Sequence, residues 1–176
     1  SVTPFCESQR MDPRFAALAA LAAAQHSAVS LAQVQQIGVS SALCSKWVKA
    51  GLLERSGPRS LVIAGSEPTW KRALAAASFD LGGAGALAGR SGARLLGLDG
   101  FTGDDVELLV ERQFRNRASS GVVRSTSVGL SRGDMVRIDG LRVLRAERLI
   151  LESPRFGFTQ AETENAIDSA LRLRLV

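Results

Sequence analysis

Apolar positions in the first third of the chain recur at helical spacing, and each run is bracketed by residues that start or stop helices. Asp12-Pro13 precedes "RFAALAALAAAQ"; an aspartate accepts the free N–H groups of a first turn, where proline is tolerated, so a helix is predicted from there to about Gln25. Ser30 precedes "LAQVQQI", which Gly38 ends, and Ser40 precedes "SALCSKWVKA", which Gly51 ends, giving two shorter helices. Beyond Gly51, "LLER" and "SLVIAG" flank "SGP" and read as two short strands joined by a tight turn.

The punctuation changes near Glu67. Pro68 is placed to open a helix over "TWKRALAAASFD", the glycine-rich "LGGAGALAGRSG" reads as a connecting loop, and "ARLLGL" as a short helix. "VELLVER" and "GVVRSTSV" have strand character, "LSRGD" is a loop, and "MVRIDGLRVL" folds as two strands about an Asp139-Gly140 turn. "TQAETENAIDSALRLRL" is helical by spacing, with Ala166, Ile167, Ala170, Leu171 and Val176 expected inward. The expected fold class is α+β, with one unit over 12–66 and a small mixed α/β unit over 67–176.

Helix, helix, tight glycine turn, helix and then a two-stranded hairpin is the order of a winged helix-turn-helix, in which the third helix enters the DNA major groove. At about 100° per residue, Leu43, Trp47 and Ala50 share the inward side of that helix, while Ser41, Ser45, Val48 and Lys49 point outward. Hydroxyl and ammonium groups can meet base edges and phosphates, and Lys46, Arg55 and Arg59 stand where flanking phosphates would lie. Ser40 and Ser41 add a helix N-terminus with free N–H groups.

Charge adds to this picture. The chain carries 22 Lys and Arg against 17 Asp and Glu, a net +5, which favours polyanionic partners. The excess is uneven: Arg112, Arg115, Arg117, Arg124, Arg132, Arg137, Arg142, Arg145 and Arg148 face only Asp134, Asp139 and Glu147 across the same stretch. A second phosphate-gripping surface is expected there, with Arg112, Arg115 and Arg117 as leading candidates; the plain alternative is a solvated sheet face.

Other chemistry is weakly signalled. Cys6 and Cys44 are too few and too far apart for a zinc site or a disulfide framework, so a reducing cytoplasmic setting is expected, with no metal and no cofactor. The apolar run after Pro13 is too short to span a membrane. "GGAGAL" lacks the preceding strand of a dinucleotide loop, and the lone His26 has no catalytic partner nearby. Asp104, Asp105, Glu107 and Glu111 resemble a metal cluster only superficially, because all three lysines lie far upstream of the acid–lysine spacing a nuclease strand needs. No catalytic residue is expected. Trp47 and Trp70 read as core anchors.

The run "SAVSLAQVQQIGVSSALCSKWVKAGLLERSGPRSLVIAG" resembles the N-terminal winged helix of the AbiEi-type antitoxin family. "GALAGRSGARLLGL", "DGLRVLRAERLILE" and "AIDSALRLRLV" resemble later segments of that family more faintly. The resemblance implies a transcriptional repressor that binds double-stranded DNA at repeats and is paired with a nucleotidyltransferase toxin; a homodimer on repeated half-sites would be a natural arrangement for such binding. Similar proteins carry a Vsr-like nuclease domain, so the alternative it implies is the DNA-targeting portion of an endonuclease. The third helix departs from the pattern in carrying Ser41, Leu43 and Ser45 where arginines are common.

Overall fold

A computed structural model describes residues 12–114, 123–127 and 129–176. It is mixed α+β with two sheets. Helix α1 (Pro13–Ala23) starts where Asp12 Oδ1 accepts the backbone N–H of Arg14 at 2.9 Å. A turn with His26 and Ser27 in the left-handed region leads to β1 (Ala28–Ser30), which the sequence reading missed because three residues carry no periodicity. Ser30 then caps α2 (Leu31–Gln36) in a capping box with Gln33, and Ser40 caps α3 (Ser41–Lys49) by accepting from Leu43 N at 3.2 Å. Strands β2 (Leu53–Arg55) and β3 (Ser60–Ile63) complete an antiparallel sheet in the order β1-β3-β2.

Alternation along these short strands covers both faces of that sheet. Val29, Leu53 and Leu61 join Leu18, Val34, Cys44 and Trp47 in a core under α1, α2 and α3. Ala28 and Val62 point the other way, into a second core built on Leu74, Ala75, Ala77 and Leu81 of α4 (Trp70–Leu81). Helix α4 is capped by Thr69, one residue beyond the predicted proline. It therefore lies between the two sheets.

The second sheet runs β6-β5-β4-β8-β7, formed by β4 (Gly85–Leu87), β5 (Glu107–Glu111), β6 (Val123–Ser127), β7 (Met135–Ile138) and β8 (Leu141–Leu144). Pairs β4–β5 and β7–β8 are antiparallel, whereas β4–β8 and β5–β6 are parallel. Its central strand is the stretch expected to be a loop. Gly-Ala-Leu has poor strand propensity, yet a methyl group added at Gly85 would lie 2.5 Å from the Leu109 carbonyl oxygen, so close pairing with β5 selects glycine there. Leu87, Leu108, Val110, Leu141 and Val143 face α4. The opposite face packs Ala86, Leu109 and Leu144 against residues of α5 (Gly89–Leu95), α6 (Ala146–Glu152) and α7 (Gln160–Arg172). On α7, Ala166 and Ala170 are buried as expected, but Ile167 and Leu171 are exposed, as is Val176 beyond the helix; the small side chains make the contact and the large ones lie off its edge.

No helix among the described residues is long and apolar enough to cross a membrane.

Candidate nucleic-acid interface

Helix α3 is seated by two side chains. Cys44 and Trp47 are buried, and Trp47 meets Phe15 of α1 edge-to-face at 5.2 Å between ring centres. Burial pushes the Cys44 thiol up, with the nearby Arg55 guanidinium opposing it, which puts Arg55 beside α3. Ser40, Ser41, Ser45, Lys46 and Lys49 are all exposed, and neither lysine has an ion-pair partner among the described residues. The Ser40 oxygen accepts the capping bond, which leaves its O–H free to donate outward.

Two expectations about this helix need correction. Val48, expected outward, is half-buried against the core beside Leu43, while Ala50, expected inward, is exposed at the C-cap. The inward stripe is centred on Cys44 and Trp47, one position off the predicted one, because a nine-residue helix packs on whichever side the preceding turn presents. The outward face is consequently more polar than predicted.

The ribbon beyond α3 is anchored as well as exposed. Arg55 and Arg59 project from β2 and from the loop entering β3, and both are exposed. The loop tip is held from behind: Arg59 N donates to Asp80 Oδ1 at 2.8 Å, at the end of α4. A methyl group on Gly57 would lie 1.9 Å from Asp80 Oδ2, so only glycine allows that approach. Asp80 is the sole charged residue between Arg72 and Arg90, a signal that marks a buried polar anchor in hindsight.

The expected second basic surface divides. Arg115 and Arg117 lie outside the described residues, and Arg112 is exposed in a single 3-10 turn after β5. Arg148 is no free cation: its Nη2 donates to Glu152 Oε1 at 2.7 Å and to Ser127 Oγ at 2.8 Å. Arg132 and Arg145 are exposed without an ion pair among the described residues, and Arg137 and Arg142 reach only backbone carbonyls.

The acidic stretch is likewise engaged. Arg94 pairs with Asp104 at 2.7 Å while stacking over Trp70, whose Nε1 donates to Asp105 O at 3.0 Å. Glu107 is buried and accepts from the backbone N–H of Arg90, closing the start of α5, which has no capping side chain of its own. Burial pushes the Glu107 carboxyl up, whereas the Arg90 guanidinium holds Glu162 below the usual carboxylate range. No cluster of three metal-ligating side chains occurs among the described residues. His26 has its Nε2 3.1 Å from Asp139 O, and Lys71 Nζ donates to the Asp139 carboxylate, so this turn fastens the β7–β8 hairpin to the turn after α1 and to α4.

Comparison with protein-family models and with curated proteins returns no match to this chain.

Proposed function

We propose that the chain binds double-stranded DNA through a winged helix-turn-helix over residues 12–66, with α3 as the groove-reading helix and the β2–β3 ribbon as its wing. The observation that carries this reading is the two-sidedness of α3: Cys44 and Trp47 hold one side, and Ser41, Ser45, Lys46 and Lys49 stand exposed on the other. The order α1-β1-α2-α3-β2-β3, with β3 central in its sheet, is consistent with that class. Serine hydroxyls suit base edges, and lysines together with Arg55 and Arg59 suit phosphates.

A mobility-shift series on DNA from upstream of the gene tests it, with salt varied. Affinity is expected to fall steeply as salt rises, and Ser45→Ala with Lys49→Ala is expected to abolish preference for that fragment over unrelated DNA. Retained preference in the double variant overturns α3 as the reader. The finer reading, a repressor acting as antitoxin to a nucleotidyltransferase, rests on the family resemblance of the first third. Co-expression with a nucleotidyltransferase encoded beside it, without rescue of growth, removes that reading and leaves DNA binding intact.

A further inference from the structure

An open cleft of ≈ 780 Å³ separates α2 and the β2–β3 loop from the end of α4 and the β7–β8 hairpin. Three guanidinium-bearing residues from three elements line it: Arg59, Arg137 and Arg142. Arg142 Nη1 donates to Gly83 O at 2.9 Å and Arg137 Nη1 to Gly140 O at 3.1 Å, so backbone carbonyls steady both groups while leaving their remaining N–H donors unused among the described residues. Held donors lose less freedom on meeting a ligand than mobile ones.

Among the described residues no carboxylate pairs with the three cleft guanidinium groups, although the molecule supplies such partners elsewhere. Arg14, Arg90, Arg94, Arg148, Arg155 and Arg172 each meet a carboxylate within 4.0 Å. Asp139, the one carboxylate lining the cleft, is already matched by Lys71. Phe79 and Leu141 give the lining an apolar wall, and Ser78, which also lines it, has an Oγ shut off from water with no hydrogen-bond partner among the described residues. The volume falls within the roughly 300–1,000 Å³ common for small-molecule sites, and planar N–H forks match phosphate oxygens.

We propose that this cleft binds a small phosphorylated ligand of nucleotide size, with its phosphates among Arg59, Arg137 and Arg142. Concavity and the apolar wall favour a free ligand over a DNA backbone, because phosphates on the convex outside of a duplex would leave that wall uncovered. Arg59 is common to this cleft and to the proposed wing, so an occupant withdraws one phosphate contact from DNA; that coupling rests on the DNA-binding reading, while ligand binding itself does not.

Titration calorimetry on the full chain at constant ionic strength tests the site, using ATP and inorganic tripolyphosphate as probes. One-to-one binding is expected, weakened about tenfold or more by Arg137→Gln with Arg142→Gln. Removing the same two charges elsewhere, in Arg132→Gln with Arg145→Gln, is expected to leave it unchanged. Equal losses in both double variants, or no binding of either probe at millimolar concentration, overturns the proposal. So does a cleft variant that loses duplex DNA binding when the wild type never took up the small anions, since the arginines then belong to a DNA track. Small-anion binding that survives in a protein unable to shift any DNA supports the cleft and removes only the DNA-binding reading.

Discussion

Around Arg90 the guanidinium meets acceptors on every side, with Glu162 oxygens at 2.8 and 3.0 Å, Phe156 O at 3.0 Å and Gly157 O at 3.2 Å, and it lies 5.0 Å from the Phe158 ring centre. On α3 and around the cleft the cations face water, and among the described residues the side chains of Lys46, Lys49, Arg59, Arg137 and Arg142 form no ion pair with a carboxylate. The difference is one of supply. Acids at 104, 107, 152 and 162 were placed where arginines tie elements together and withheld where cations remain outward. A count of basic residues along the sequence merges these two uses, which is why the stretch from 112 to 148 promised a more uniform basic surface than the fold provides.

The contrast can be broken most forcefully at the seat of α3. Trp47→Ala should cost about 3–5 kcal/mol in urea unfolding, because a buried indole leaves a cavity under the helix. A loss under about 1 kcal/mol would mean that the helix is held by something other than this core. Next is Glu107→Ala, which removes the acceptor at the start of α5 and should cost about 2–4 kcal/mol, less than a fully buried pair because Arg90 is partly exposed. By contrast, Ser45→Ala with Lys49→Ala should change stability by no more than about 0.5 kcal/mol while removing the sequence preference proposed for α3, separating the proposed DNA contacts from structural residues.

The smallest effect concerns pH. Lys71 holds the Asp139 carboxyl below its ordinary value, so that contact contributes above the unfolded carboxylate pKa and is lost as pH falls through the folded one. Amide protection in the β7–β8 hairpin should therefore decline below about pH 4, and Asp139→Asn should flatten that decline. Glu107 has the opposite sign: burial raises its folded pKa, so its contribution is full below the unfolded value and lost as pH rises through the raised one. Glu107→Gln should accordingly lessen the decline in stability across that rising-pH window.

Much of the fold was legible because its punctuation is local. Asp12, Ser30 and Ser40 cap the helices they precede, Gly38 and Gly51 adopt the left-handed conformation that ends them, and Asp139-Gly140 forms the predicted turn with both φ angles positive. What stayed hidden was set by partners distant in sequence. β1 exists because β3 pairs with it, and Gly85-Ala86-Leu87 becomes a central strand because β5 and β8 close on it from either side. The candidate site divides in the same way. The exposed serines and lysines of α3 follow from a helical wheel, but Val48 depended on packing, and the meeting of Arg59 with Arg137 and Arg142 depended on where the hairpin docks.

Asp80 has a practical corollary for anyone grafting the front of this protein onto another scaffold. The tip at residues 56–59 is moored to the far end of α4, and Ala28 and Val62 need that same helix as a cover. The smallest portable piece thus runs through Leu81; cut at residue 66, it would carry a slack ribbon and a bare greasy flank.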